Sequence, residues 1–258
     1  MGLMDLFSKE GRAKGALARN IARVSNKYAQ SPDRFAAMEG LRKDGSEEAL
    51  YGLCKRFSYK YDKGIEDEQE KEWAVEALVS CGESAIPAVR RYAKEADTLS
   101  WALKILEQIT AGGAGAAKML AIVDEVLAND PPGYTRDPSR KLEMIGFLSE
   151  WHGAPPAEVA PRIVPYLKDF DQNVRFAAAD ALAHQLDEAS ARTPLLDAML
   201  RPEEELRRVK VRCAEVLADG GWVVTDRKDA IAALIGGDLS QFGMHHDKLV
   251  RTGSGKAK

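Results

Sequence analysis

A leucine with a small or slim residue four places before it recurs six times along this chain. No other feature limits so strongly the folds open to it. Leu41, Leu78, Leu106, Leu148, Leu182 and Leu217 are preceded at that offset by Ala37, Ala74, Ala102, Met144, Ala178 and Cys213. Positions four apart lie one above the other on a helix, so one helical environment is rebuilt six times. Self-similarity at intervals of 28 to 42 residues marks an array whose units bury their apolar faces only against their neighbours. The expected fold is all-α: an α-solenoid of about six antiparallel helix pairs with a capping C-terminal helix.

The anchors predict helix pairs at 12–29 with 32–43, 46–58 with 66–80, 83–94 with 97–109, 114–128 with 138–151, 157–168 with 172–187, and 191–200 with 203–219. A closing helix falls at 226–235. Start signals agree with these positions. Ser31-Pro32-Asp33 reads as an N-cap, a first-turn proline and an acid at the positive helix end, and Arg201-Pro202-Glu203-Glu204-Glu205 repeats that logic. The acidic run Glu66-Asp67-Glu68 reads the same way. Turn signals fall at Gly82, Gly112-Gly113, Pro131-Pro132-Gly133, Gly153 and Gly220-Gly221. Three regions follow: a basic amphipathic segment with a first capping helix at 1–30, repeats over 31–236, and a polar, partly disordered tail at 237–258. A short hairpin between Phe242 and Val250 is a weak signal within that tail.

The clearest repeat runs from Ile163 to Leu182. Val174, Ala178, Ala181 and Leu182 share one helix face, and Val209, Cys213, Val216 and Leu217 reproduce it 35 residues on. Here Asp169-Phe170-Asp171-Gln172-Asn173-Val174-Arg175 resembles the Asp-x-Asp-x-x-Val-Arg opening of the second helix in HEAT repeats. The resemblance covers residues 157–218 best; earlier units keep the leucine and its small neighbour but lose the Val-Arg pair. It implies structural roles for Asp169, Asp171 and Arg175, in a ladder of Asp and Arg that ties adjacent repeats together. HEAT-like proteins are mostly scaffolds or adaptors, so the function implied is non-enzymatic capture of a protein partner.

Composition narrows the alternatives. A net charge of −3 gives no general attraction to phosphate. Cys54, Cys81 and Cys213 are odd in number and widely spaced, which suits neither a disulfide framework nor a zinc knuckle. Cys213 occupies a small-residue slot and reads as a buried thiol. No apolar run approaches the ~18 residues of a membrane span, so a cytoplasmic monomer is expected. HEAT-like enzymes that excise alkylated DNA bases or attach bilins are the enzymatic alternative. Against the first stands the net acidity outside residues 1–30, since a DNA cradle needs a basic stripe.

The spacing of the anchors makes the connections at 59–65 and 129–138 longer than the rest, and long connections often carry binding. The first joins Phe57, Tyr59 and Tyr61 to Lys60 and Lys63. Five residues before their anchors, Trp73 and Trp101 occupy equivalent slots in consecutive units, where neighbouring helices stand about 8–10 Å apart. These residues, with Phe176 and Asp180 on an exposed helix side, are the candidate protein-binding positions. Trp151 and Trp222 follow helix ends and read as plugs between repeats.

Residues 1–30 hold six Lys/Arg against Asp5 and Glu10. An apolar stripe at Leu17, Ile21, Val24 and Tyr28 runs beside Arg19, Arg23 and Lys27. Such a helix suits either the first half of a capping repeat or a tether to membrane or nucleic acid, with Met1 to Phe7 as a further apolar anchor. No catalytic residue, cofactor or metal is expected. In His245-His246-Asp247 adjacent residues point different ways unless the backbone bends, and no further ligand cluster accompanies them; His152 and His184 read as surface residues, and the glycines at 112–115 lack phosphate-loop spacing.

Overall fold

The computed structural model describes residues 9–112, 115–204 and 206–252. These form thirteen α-helices and one two-stranded hairpin, so the protein is mostly helical. The helices are α1 (Lys9–Val24), α2 (Ser31–Asp44), α3 (Glu47–Cys54), α4 (Gly64–Ser80), α5 (Ile86–Glu95), α6 (Ser100–Ile109), α7 (Gly115–Asn129), α8 (Ser139–Glu150), α9 (Pro156–Ile163), α10 (Gln172–His184), α11 (Glu188–Leu200), α12 (Arg207–Asp219) and α13 (Lys228–Ile235). Short 3-10 turns follow α3 and α9 and precede α5 and α13. Among the described residues, no helix is long and apolar enough to cross a membrane.

The chain divides into two compact units, residues 1–126 and 127–258. In the first, α1, α3 and α5 pack in one row and α2, α4 and α6 in a second. In the second, α8, α10 and α12 form one row, and α9 packs on α11. Leu41, Leu78, Leu106, Leu148, Leu182 and Leu217 are all fully buried, as are the small residues four positions before them. Each anchor is therefore removed from water, worth about 1.5–3 kcal/mol apiece.

Local signals explain most helix ends. Ser46, Asp171 and Asp187 accept backbone N–H groups at the starts of α3, α10 and α11. Two expected caps serve other ends. Helix α2 begins at Ser31 with Gln30 as its N-cap, and the Ser31 hydroxyl donates instead to Glu70 at 2.7 Å. Helix α12 begins at Arg207, after the acidic run. Glu204 is buried beneath it rather than exposed at a helix start, and Glu205 lies outside the described residues.

Trp151 and Trp222 are buried as expected, and Trp151 stacks on Phe147. Gln185 closes α8 by donating to the carbonyls of Leu148, Ser149 and Trp151. The segment expected as a tail carries the hairpin, β1 (Phe242–His245) against β2 (Lys248–Arg251), with Leu239, Phe242 and Leu249 buried. Positive φ at His246 and Asp247 turns the chain within two residues. Residues 253–258, like Met1 to Phe7, lie outside the described residues.

Candidate functional site

The connection after α3 covers a buried cluster of charges in the first unit. Phe57 is buried, Tyr59 and Tyr61 are half-buried, and Lys60 and Lys63 are exposed. The Tyr59 hydroxyl donates to the Val24 carbonyl at 2.6 Å, and its ring lies 4.7 Å from the Arg56 guanidinium. The Tyr61 ring lies 4.4 Å from that of Arg34, and its hydroxyl donates to Glu70 at 3.2 Å. The tyrosines therefore lid the cluster as well as facing outward.

Glu70 is the hub beneath them. One carboxylate oxygen accepts from Arg34 Nε at 2.9 Å and Arg56 Nε at 2.7 Å; the other accepts from Ser31, Arg34 and Tyr61. Asp67 accepts from Arg56 and Lys71, both at 2.6 Å. All five charged groups are buried. Burial alone would raise the Glu70 and Asp67 pKa values, but donated hydrogen bonds outweigh it and both carboxyls end below their usual range. Burial raises the Tyr59 and Tyr61 phenols, so both remain protonated donors.

This cluster belongs to a wider series of ion pairs. A cation stands seven residues before five of the six anchors: Arg34, Lys71, Lys141, Arg175 and Lys210. Four reach forward, Arg34 to Glu70 (2.9 Å), Lys141 to Asp169 (2.8 Å), Arg175 to Glu204 (2.6 Å) and Lys210 to Asp238 (2.8 Å). These pairs differ from the Asp–Arg ladder that the resemblance implied. Asp169 pairs backward with Lys141 and gives Arg175 only its carbonyl, while Asp171 caps α10. Sequence reasoning singled out Asp169, Asp171 and Arg175 but missed the recurring cations, because it aligned the repeats on apolar positions; the cation at offset seven is the signal that would have found them.

Above the cluster opens a cleft of about 620 Å³, lined by Lys27, Ser31, Arg34, Phe35, Tyr61 and Lys63 among others. Lys63 pairs with Glu66 at 3.1 Å. Phe35 meets Trp73 edge to face at 6.1 Å. Trp73 in turn borders a second hollow of about 280 Å³ with Glu39, Arg42 and Glu76. The cleft, the aromatic pair and the hollow therefore form one strip along α2 and α4. Trp101 takes a different partner, stacking on Phe57 at 5.4 Å with Lys71 6.0 Å from its ring. Its ring lies over the buried cluster and is half-buried.

In the second unit, Phe176 and Asp180 are half-buried and held by α12. The Arg208 guanidinium sits 5.3 Å from the Phe176 ring, and Arg212 pairs with Asp180 at 2.8 Å. His152 and His184 are exposed. The hairpin turn brings the His245 and His246 rings within 4.1 Å. Among the described residues, no group of three or more His, Cys, Asp or Glu could hold a metal ion. Comparison of the chain with family models, with curated proteins and with solved structures finds no match.

Proposed function

We propose that the chain is a HEAT-like α-solenoid acting without catalysis as a protein-interaction scaffold in the cytoplasm. Its partner lies along the first unit from the Tyr61–Lys63 loop across Phe35 and Trp73. The observation that carries this reading is the continuity of that strip, two hollows of about 620 and 280 Å³ joined by the Phe35–Trp73 pair. An extended polypeptide suits such a surface, because aromatic anchors in pockets dominate interface energies while a charged rim sets register. Locked from below by the Glu70 cluster, the strip is held in one shape, which lowers the ordering cost of binding.

The N-terminal helix fits this reading as a cap. Val24 is fully buried, and α1 packs on α2 and α3 with Leu17 and Ile21 half-buried, which engages part of its apolar stripe within the fold. Tyr28, expected on that stripe, is 80% exposed beside Lys27 and extends the available surface. The test is affinity capture from the native cell extract with wild type and with Phe35→Ala/Trp73→Ala, each checked for helicity by circular dichroism. A partner retained by wild type and lost by the variant is expected. Equal capture by both, or no specific partner for either, sinks the reading.

A further inference from the structure

The second unit holds two large aromatic side chains in water at one corner. Tyr134 is 77% exposed and Phe170 is 69% exposed. Their rings meet at 5.4 Å, nearly perpendicular at 83°. They come from different connections, one before α8 and the other before α10, and the fold bolts those connections together. The buried Asp169 carboxylate accepts from the Gly133 amide at 3.0 Å, the Asp171 amide at 2.8 Å and Lys141 at 2.8 Å. Lys141 also donates to the Gly133 carbonyl at 2.7 Å, and Arg175 donates to the Phe170 carbonyl at 2.9 Å. Gly133 sits at φ 130°, a conformation that favours glycine. Pro131 and Pro132, both exposed, widen the apolar surface. A contiguous apolar corner held this rigidly is a preorganised anchor, unlike a scattered exposed side chain.

Charge around the corner selects the partner. Arg136 and Lys168, each two residues from one of the rings, are exposed and have no anionic partner among the described residues. The nearby acids are already engaged. Asp137 accepts from the Ser139 amide and hydroxyl at the start of α8, and Asp171 from the Asn173 and Val174 amides at the start of α10. Those two carboxylates are set against helix N-termini, which leaves Arg136 and Lys168, one beside each ring in the chain, uncompensated and favours negative charge in the partner. Single-stranded nucleic acid also pairs phosphates with aromatics, but it needs ring faces on which successive bases stack. Perpendicular rings offer one face and one edge.

We propose that the Tyr134–Phe170 corner docks an acidic protein segment carrying a bulky apolar side chain, which seats against the ring pair while its carboxylates meet Arg136 and Lys168. A random peptide display library selected on the full-length protein, with counter-selection on Tyr134→Ser/Phe170→Ser, tests this. The expected survivors are acidic peptides with at least one Leu, Ile, Met or Phe. They should bind Arg136→Glu/Lys168→Glu at least about tenfold more weakly than wild type. All four substituted side chains are exposed, and unchanged thermal unfolding of both variants confirms that the fold is retained. Survivors that are basic or purely polar overturn the proposal. So does a library with no peptide that distinguishes wild type from the aromatic variant, or displacement of the peptides by an oligothymidine strand.

Discussion

Glu70 shows most clearly how a single side chain governs this fold. It pairs with two buried guanidiniums at once, and breaking such a group leaves buried charge uncompensated, at a cost of about 3–5 kcal/mol. Glu70→Gln should therefore lower stability by that amount in urea unfolding; a change within error would show the cluster to be dispensable. Acid should act on the same group. Because the Glu70 and Asp67 pKa values are depressed in the folded state, their stabilisation is complete above the ordinary carboxylate range near pH ~4 and is lost as pH falls through the folded values. The urea midpoint of wild type should fall steeply below about pH 4, and that of Glu70→Gln less so. Thiols offer a second measurement. Burial pushes Cys54 and Cys213 up to about 12, whereas Cys81 is only half-buried. Labelling near neutral pH with a thiol-reactive disulfide should titrate Cys81 promptly and the other two only after unfolding; rapid reaction of Cys213 would contradict the burial of its slot.

The helices owe their existence to local pattern and their stability to neighbours. Leu182 contributes little to an isolated α10 and much to the α8–α10–α12 row, so Leu182→Ala should cost about 2–5 kcal/mol. Helix α1 depends on close approach. A Cβ at Gly52 would stand 2.5 Å from Ile21 Cγ1, so Gly52→Ala should loosen the docking of α1 on α3 by about 1–3 kcal/mol. Limited proteolysis would detect this as earlier cleavage between α1 and α2. Resistance equal to wild type would mean that α1 is held elsewhere. Most helices, the turns and even the weak hairpin were readable, because apolar spacing and glycine positions report local geometry. The start of α12 was not. Arg201-Pro202-Glu203-Glu204 has the chemistry of a helix start, yet Glu204 is drawn down to Arg175, 29 residues away in sequence, and the helix waits until Arg207.

Charge is distributed over the molecule in a way the sequence disguises. Arg207-Arg208-Val209-Lys210-Val211-Arg212 reads as a basic stripe, but Lys210 is paired with Asp238 and Arg212 with Asp180 and Glu215, while Arg207 donates to the Asp238 carbonyl and Gln241 and Arg208 to Asn173. With the chain at −3 overall, duplex DNA should not bind measurably at physiological ionic strength, about 0.15 M. A salt-dependent shift in anisotropy of a labelled duplex would show a positive surface hidden from this accounting. Amino-acid order alone determined that the chain would be helical, where most of its helices lie and which leucines and alanines are sealed from water, because a helix repeats its contacts at fixed spacing along its own length. Only tertiary structure decided which charges are buried, that Trp73 borders an open hollow while Trp101 stacks on Phe57, and that Tyr134 and Phe170 meet at one corner. Those outcomes depend on residues 28 to 44 positions apart in the chain, and no periodicity within a single helix specifies which of them will touch.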